Sequence, residues 1–461
     1  MKRLEAERPN STRIEDLAND YIRDNKFSRE EYAKYGVKRG LRNDDGTGVI
    51  AGLTKVCRVH GYMVEDGDKI PDVGRLIYRG LDVEDIIEGS IRNKTSSFEE
   101  TIWLLIFGHL PNDREYEFLK EILGKSRDLP EFFIEDVLMK QPSVDLMNQL
   151  ARGVLSLYTY DDTPNDLSLE NNLRQSLLLI ASLPSIMVAA HQVKRRRFDK
   201  KTMYFHPLNE TDSTAEAILR AVRPHQDFTQ EEARLLDMCL TLHAEHGGGN
   251  NSTFTTRVLS SSDTDIYSTI SAAIGSLKGF KHGGANFKVR EMMDCVMENV
   301  KNWEDEKELT DFLIRIVNKE VGDKSGLIYG MGHAIYTLSD PRAVILKQYA
   351  RELAAKRGFE DKLNLYEKIE ELSPAVFKNV TGKSKVICAN VDFYSGLVYE
   401  MLGIPEDLFT PIFASARIAG WCAHRIEEIT TGGRIIRPAY RAIPTKYSYV
   451  DFDERPNYYN K

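Results

Sequence analysis

The chain has 461 residues and a formal net charge of −8, with 42% hydrophobic and 29% charged residues. This length allows two or three average domains, or one large domain with a smaller one, and the apolar content suffices for sizeable cores. The negative charge argues against nucleic acid or an anionic membrane as the main partner, so an anionic ligand would have to be held by local groups of Arg and His.

The cysteines and the N-terminal residues both bear on cellular location. The five cysteines are scattered and form no CxxC pair; they are Cys57, Cys239, Cys295, Cys388 and Cys422. This pattern predicts reduced thiols, mostly buried, in a cytoplasmic protein. The opening stretch MKRLEAERPNSTRIEDLANDY contains several acidic residues, which are rare in transit peptides, so no targeting peptide is predicted.

The predicted elements begin with an extension. The first 45 residues are highly charged and predict a helical segment outside the main core. The segment Arg75–Gly80, with turn residues around Asp66–Gly67 before it, predicts one arm of a small hairpin. A capping box from Ser97 to Glu100 then predicts the start of an apolar helix that stops at Gly108.

The middle of the chain continues with helix signals. The apolar run SLLLIASLPSIMVAA predicts a buried helix that is too short to cross a bilayer and is broken by Pro184. The basic run VKRRRFDKK after it predicts a solvated loop, with a phosphate-binding site as the alternative. A second capping box, Thr229 to Glu232, predicts the start of another amphipathic helix.

Two more helices are predicted toward the C-terminus. Asp340 as N-cap, Pro341 in the first turn and Gly358 as the stop delimit one of them. The other starts at Thr410–Pro411, and its Ala, Ser and Gly content suits close helix packing. Strand signals are sparse, so helices dominate the predicted elements.

Histidines beside glycines, each followed by a helix signal, mark the candidate site. HAEHGGGNNSTF contains His243 and His246, FKHGGANFK contains His282, and YGMGHAIYTLSDPRA contains His333. NVDFYSG places Asp392 just before a predicted helix. Any one of these residues alone is more typical of hydrogen-bonded packing than of catalysis.

The spacing of these residues excludes two common kinds of site. HAEH is not HExxH, and no second carboxylate falls in register, so no metal site is predicted. The glycines beside these histidines form neither GxGxxG nor GK followed by Ser or Thr, and no predicted strand precedes them, so a nucleotide loop is not predicted there.

What remains is a set of proton donors and acceptors with arginines in the same segments. Arg342, Arg417 and Arg437 could bind a small polycarboxylate through two parallel hydrogen bonds each, although surface ion pairs are the alternative for any one of them. An Asp with two His is suited to removing a proton from carbon while donors hold the enolate oxygen.

Taken together, HAEHGGGN, KHGGAN, GMGHAIY with SDPR, NVDFYSG, and FASARIAGW with IIRP closely resemble the citrate synthase family in order and spacing, and RLIYRGLDVEDI resembles its N-terminal part. The resemblance covers roughly residues 48–441. It implies an all-α fold with a large domain and a smaller inserted domain, here 46–282 with 392–461 and 283–391, after an extension over 1–45. It also implies a homodimer with shared active sites.

The resemblance further implies an acyltransferase of the citrate (Si)-synthase type that condenses acetyl-CoA with oxaloacetate, without a cofactor. Asp392 would be the base, His282 the donor to the thioester oxygen and His333 the donor to the oxaloacetate carbonyl. Oxaloacetate would be bound by His246, Asn250, Arg342, Phe413 and Arg417, with Arg437 supplied by the partner subunit. The CoA adenine would lie against the backbone of Ile328, Tyr329, Gly330, Met331 and Gly332.

Some points stay open in the sequence. Lys281, Lys288 and Arg290 could bind the CoA phosphates, with solvated surface as the alternative. A 2-methylcitrate synthase that uses propionyl-CoA would need the same residues, because one methylene changes binding in a pocket by only about 1–3 kcal/mol. A non-catalytic binding protein of the same fold is the further alternative. His282 precedes a predicted helix, whose positive end would favour the neutral imidazole that a donor must be.

Overall fold

The computed structural model describes residues 11–43, 45–65, 68–382, 386–443 and 448–454. The predicted turn at Asp66–Gly67 lies outside these residues, as do parts of the predicted N-terminal extension and of the C-terminal end of the predicted large domain. The chain divides into two compact units, one drawn from Met1–Ile50 and Arg437–Lys461 and the other from Ala51–Ile436. All predicted site residues except Arg437 belong to the second unit. The division into a large and a small domain stays a prediction.

Helices make up most of the structure, which confirms the all-α prediction. The first unit contains α1 (Ser11–Asn25) and α2 (Arg29–Lys34). The second contains α3 (Val83–Asn93), α4 (Ser97–Phe107), α5 (Asp113–Lys125), α6 (Leu146–Leu157), α7 (Leu169–Arg197), α8 (Thr214–Val222), α9 (Gln230–His243), α10 (Asn251–Ser260), α11 (Ile266–Lys278), α12 (Ala285–Asn299), α13 (Glu306–Val317), α14 (Pro341–Arg357), α15 (Glu360–Thr381), α16 (Val391–Met401) and α17 (Phe409–Thr431). Short 3-10 or π turns lie at Arg39–Leu41, Ile134–Met139, Tyr158–Tyr160, Glu406–Leu408 and Phe452–Glu454.

Most predicted helix starts agree with the structure, and one is shifted. The Thr229 capping box opens α9 as predicted, and α14 has the Asp340 cap at its start and Gly358 in the left-handed conformation at its end. The box predicted at Ser97 is one residue too late, because the hydroxyl of Ser96 accepts from the Glu99 N–H while that of Ser97 donates to the buried Asp237 at 2.6 Å.

The helix α7 differs from the prediction in two ways. Pro184 lies inside it without ending it, since both flanks are buried among other helices. The first part of the basic run is its last turn, where cations complement the negative end of the helix dipole. By length and composition α7 could span a membrane, but 83% of its apolar window is buried inside the protein. The prediction of a helix too short to span and broken by proline is therefore wrong, whereas burial is confirmed.

A small antiparallel sheet supports one side of the candidate site. It consists of β1 (Cys57–Glu65), β2 (Asp68–Tyr78) and β3 (Leu81–Asp82) in that order, so the predicted hairpin arm is part of β2. Gly61 and Gly74 let the hairpin approach the chain that follows His333: a Cβ on Gly61 would lie 2.8 Å from Ile335 O, and one on Gly74 would lie 2.0 Å from Ser339 O. Thr337 Oγ1 also donates to Gly61 O at 2.6 Å.

The last long helix forms the centre of the second unit. Almost every side chain of α17 from Phe409 to Ile426 is buried, and it packs against α4, α7, α9 and α10. Its small residues allow this: Gly420 donates its N–H to Ala244 O at 3.2 Å, and a Cβ there would lie 2.5 Å from the same oxygen. The helix thus passes directly behind the segment that carries His246.

Candidate active site

His246 lies in a glycine turn between α9 and α10. Gly247 adopts a positive φ of 86°, and its N–H donates to Glu245 Oε1 at 2.6 Å. Asn250 caps α10 and accepts from the Ser252 N–H at 3.2 Å. The His246 ring is buried, and its Nε2 has no hydrogen-bond partner among the described residues. That nitrogen is therefore open to a ligand.

His282 lies in the turn between α11 and α12. The turn folds back on α11, because Gly283 N donates to Leu277 O at 2.9 Å and a Cβ on Gly283 would lie 2.4 Å from that oxygen. Burial, and then the charge of Arg417, lower the pKa of His282 to about 4. Both effects favour a neutral imidazole at pH 7, as expected, and the contribution of the helix end stays a prediction.

A serine that the sequence analysis did not single out supports His282. Ser252 Oγ lies 3.1 Å from His282 Nε2, accepts from Trp421 Nε1 at 3.2 Å, and donates to Asn250 Oδ1 at 2.9 Å. The hydroxyl has a single hydrogen, so its choice of acceptor decides which ring nitrogen of His282 carries the proton. With the hydroxyl donating to Asn250, the hydrogen of the neutral His282 ring lies on Nε2; a hydroxyl that turned to donate to Nε2 would put it on Nδ1.

His333 follows a glycine turn and faces His246. Its Nδ1 lies 3.1 Å from both Ile335 N and Tyr336 N, which makes Nδ1 the acceptor and leaves the hydrogen of the neutral ring on Nε2. The ring centroids of His333 and His246 are 5.1 Å apart, edge to face. Tyr336 packs against both rings, at 4.7 and 5.5 Å, and its buried hydroxyl has no partner among the described residues.

Arg342 lies in the first turn of α14 and is paired within the protein. Its Nε and Nη2 donate to the two carboxylate oxygens of Asp340 at 3.0 and 2.7 Å, and its guanidinium lies 5.6 Å from the Tyr336 ring centroid. Asp340 also accepts from the Val391 N–H at 3.3 Å. This carboxylate therefore joins the start of α14 to the start of α16, where Asp392 lies.

Arg417 and Phe413 lie on α17. Arg417 is fully buried and stacks over Phe413, with 4.8 Å from its guanidinium carbon to the ring centroid. Its Nε donates to His243 O at 2.6 Å, while Nη1 and Nη2 have no partner among the described residues. A buried guanidinium edge with free N–H groups fits a carboxylate that accepts two hydrogen bonds.

Asp392 lies in the first turn of α16, where the charges of Arg342, Asp340 and Arg417 act on it. Burial raises its pKa to about 6, with Asp340 adding to the rise and Arg342 and Arg417 opposing it. The His246 pKa is lowered well below its usual value, first by burial and then by Arg342, His333, Arg417 and His282. These interactions place the predicted catalytic and oxaloacetate-binding residues of the second unit in one cluster.

The segment Ile328–Gly332 is held against the start of α16. Gly332 N donates to Cys388 O at 2.7 Å, and Asn390 donates from its backbone N to Gly330 O at 2.8 Å and from Nδ2 to Gly332 O at 3.0 Å. Gly330 has a φ of 78°, and a Cβ on it would lie 2.7 Å from a Phe393 ring carbon. The segment is thus fixed beside Asp392, and a cavity of about 250 Å³ that includes Tyr329 and Lys288 opens next to it.

The structure thus brings together His246, Asn250, His282, His333, Arg342, Asp392, Phe413 and Arg417. Arg437 belongs to the other unit, and its role stays a prediction. Sequence reasoning missed Ser252, Tyr336 and Asp340 as site residues; SDPR contained the last, but only as a helix cap. Among the described residues, no group of three or more His, Cys, Asp and Glu could hold a metal ion.

The comparisons with known proteins agree with this geometry. The family model "Citrate synthase, C-terminal domain" matches residues 43–439. The chain is 34% identical to a citrate synthase of Synechocystis over 83% of its length and 88% of the relative, and 31% identical to a 2-methylcitrate synthase of Corynebacterium glutamicum over 91% and 98%. A Thermoplasma acidophilum citrate synthase, solved with carboxymethyl coenzyme A and oxaloacetate, superposes with a TM-score of 0.72 at 27% identity, covering 91% and 99% of the two chains.

The helical fold and these matches define an enzyme of the acyl-transfer class. The chain belongs to the citrate synthase family. The resemblance found in the motifs is therefore confirmed, over nearly the range predicted.

Proposed function

We propose that this protein condenses acetyl-CoA with oxaloacetate and water to give citrate and CoA. One observation carries the proposal: several buried polar groups of the site residues have no hydrogen-bond partner among the described residues. They are the free N–H groups of Arg417, Nε2 of His246 and the Tyr336 hydroxyl. Buried polar groups are normally satisfied, so this set predicts a small ligand with several acceptor oxygens, as oxaloacetate has.

The first step is removal of a proton from the methyl carbon of acetyl-CoA. Ionised Asp392 accepts that proton, and the electron pair moves onto the thioester oxygen as the enol forms. His282, neutral because of burial and Arg417, donates a hydrogen bond to that oxygen. A carboxyl with a pKa of about 6 is a stronger base than an exposed aspartate and is still ionised at pH 7.

The second step joins the carbon atoms. The enol carbon attacks the ketone carbon of oxaloacetate, and His333 donates from Nε2 to the ketone oxygen as it becomes negative. His246, Arg342 and Arg417 bind the carboxylates, with Asn250 and Phe413 shaping the site. Water then hydrolyses the thioester of citryl-CoA, which releases citrate and CoA. No cofactor or metal is required by this scheme.

The residues that would contact CoA are also part of the proposal. The Ile328–Gly332 segment, fixed next to Asp392, would border the adenine. Lys288 and Arg290 are engaged with acids, at 2.7 Å to Glu291 and 3.1 Å to Asp294, which favours the surface interpretation over phosphate binding for these two side chains.

The experiment is a thiol-release assay. With acetyl-CoA we expect free CoA to appear only when oxaloacetate is present. No release from the folded protein would favour the non-catalytic alternative. Comparison of kcat/KM for acetyl-CoA and propionyl-CoA separates citrate synthase from 2-methylcitrate synthase, and a strong preference for propionyl-CoA would reverse the proposal.

We further propose a cytoplasmic homodimer in which Arg437 completes the site of the partner subunit. The proposal rests on the family resemblance of the IIRP motif. Mixing an Arg437→Ala variant with an Arg342→Ala variant should restore activity, because each heterodimer would have one intact site. Sedimentation should show a dimer, and absence of complementation in mixed dimers would argue against a shared site.

A further inference from the structure

A chain of buried charged groups lies against the turn that carries His246. Glu245, next to His246, accepts from His424 Nε2 at 2.9 Å through Oε1. His424 in turn faces Arg257, whose Nε and Nη2 lie 3.0 and 2.7 Å from Nδ1. Arg257 is also paired with Glu427 and, at 2.8 Å, with Glu428. Glu245 and His424 are fully buried, and none of these five residues has a role in the proposed chemistry.

The chemistry of arginine determines where the hydrogen of His424 lies. A guanidinium can only donate hydrogen bonds, so His424 Nδ1 must accept from Arg257. The hydrogen of the neutral ring is then on Nε2 and points at Glu245. Burial acts to raise the pKa of Glu245, but His424, Arg417 and the Gly247 N–H outweigh it, and the pKa is lowered. Glu245 is therefore an ionised carboxylate in a fixed position.

Glu245 acts on two parts of the oxaloacetate site. Its Oε1 accepts from the Gly247 N–H at 2.6 Å, which holds the left-handed turn directly after His246. Among the charged groups, Glu245 does most to raise the pKa of Arg417, whose terminal nitrogens have no partner among the described residues. The fit is tight, because a Cβ on Gly420 would lie 2.1 Å from Glu245 Oε2.

We propose that Glu245 and His424 are positioning residues for oxaloacetate binding. His424 orients Glu245, and Glu245 holds the Gly247 turn, so that His246 Nε2 is presented to the substrate. Glu245 also compensates the charge of Arg417 from a distance, which leaves both terminal nitrogens of Arg417 free for a carboxylate. The inference rests on the proposed function, since it takes oxaloacetate as the ligand.

The test compares substitutions at His424 that keep or remove the donor to Glu245. In His424→Gln the side-chain amide reaches as far as Nε2 and can donate to Glu245. His424→Leu keeps a similar volume without a donor, and His424→Asn is too short to reach. His191→Leu is the matched control, since His191 is a buried histidine of α7 whose two nitrogens lack partners among the described residues.

We expect weaker oxaloacetate binding in the Leu and Asn variants, measured by calorimetry and as KM. The loss should be about tenfold or more, the effect of removing one hydrogen bond to a charged group. The KM for acetyl-CoA should not change, and His424→Gln and His191→Leu should bind oxaloacetate like the wild type. Amide hydrogen exchange at Gly247, measured without substrate, should be faster in the Leu and Asn variants only.

Two results would overturn the inference: oxaloacetate binding in His424→Leu equal to that in His424→Gln, or unchanged exchange at Gly247 in the Leu and Asn variants. If His424→Leu does not fold, His424→Asn supplies the same comparison. Wild-type protein that neither binds oxaloacetate nor releases thiol would refute the proposed function instead. The exchange measurement would still show whether His424 holds the turn, so the two failures are distinguishable.

Discussion

Two arginines of the site are equally buried and differ in how their charge is satisfied. Arg342 and Arg417 are 3% and 0% exposed. Arg342 forms two hydrogen bonds to Asp340, whereas Arg417 donates only to the His243 carbonyl oxygen and has no ion pair among the described residues. The pKa of Arg342 is raised because Asp340 outweighs burial, and that of Arg417 is lowered because burial dominates.

This difference in pairing gives the two arginines different roles in folding and in ligand binding. The charge of Arg342 is compensated when the chain folds, and Asp340 holds its guanidinium in one orientation. Arg417 stays short of acceptors until a ligand arrives, so an anionic ligand gains hydrogen bonds that the protein itself does not supply. We infer that Arg342 serves both the structure and the site, whereas Arg417 serves mainly the ligand.

The largest expected effect concerns Asp392, on which both arginines act. Asp392→Asn keeps the shape of the side chain and removes the base, so kcat should fall by about 10²–10⁴-fold, the usual contribution of a general base. Oxaloacetate binding should persist, since the base acts on the other substrate. Thiol release measures the first and calorimetry the second. Wild-type turnover in this variant would show that another group takes the proton.

The next effect is on stability. Arg342→Met leaves the Asp340 carboxylate buried without its cation, so the free energy of unfolding should fall by about 3–5 kcal/mol, as when one partner of a buried ion pair is removed. Denaturant unfolding measures the change. The double variant Asp340→Asn, Arg342→Met should recover part of the loss. If Arg342→Met is as stable as the wild type, Arg342 does not stabilise the folded protein through Asp340.

The matching substitution at Arg417 should affect stability much less. Arg417→Met removes a buried cation that has no ion pair within the described part of the chain, together with one hydrogen bond to a backbone carbonyl. The free energy of unfolding should therefore change by no more than about 1.5 kcal/mol. Oxaloacetate binding should be lost, as in Arg342→Met. Both variants should lose oxaloacetate binding, but Arg342→Met should lower the free energy of unfolding more than Arg417→Met does. An equal decrease in the two variants would contradict the distinction between the arginines.

The sequence predicted the helices well where local chemistry decides them. The caps at Thr229 and Asp340 and the stop at Gly358 depend on residues within one turn, and all three are confirmed. Pro184 was misjudged because proline weakens a helix locally, whereas burial on both flanks keeps α7 continuous. The Ser97 cap was misplaced by one residue because a distant partner, Asp237, takes its hydroxyl.

The site residues also divide into those with a local sequence signal and those held by contacts between distant parts of the chain. His246, His282, His333 and Asp392 could be found because each lies in a glycine turn or at a helix start, and the combined motifs resemble a known family. Their supporting contacts could not be found from local patterns. The Ser252 contact with Trp421 joins residues 169 positions apart, and the pair of Glu245 with His424 joins residues 179 apart. Neither contact leaves a periodic signal in the sequence.

The smallest expected effect is on the pH dependence of the rate. Burial raises the pKa of Asp392 to about 6, and a base must be ionised to accept a proton. As the pH falls through 6, the protonated form accumulates and kcat/KM for acetyl-CoA should decrease, approaching tenfold per pH unit below the pKa. His282, with a pKa of about 4, remains neutral over this range and does not contribute to the decrease of the rate at acidic pH.

The pH dependence also compares the two arginines, because both lower the pKa of Asp392 and Arg342 does so more strongly. Titration of the Asp392 carboxyl by carbon NMR should therefore show a higher pKa in Arg417→Met than in the wild type. In the double variant Asp340→Asn, Arg417→Met the pKa would equal that of Arg417→Met only if the Asp340 charge did not matter. Because Asp340 raises the pKa, its neutralisation should instead bring the value back down. If the pKa of Asp392 is the same in the wild type and in both variants, burial alone sets the strength of the base.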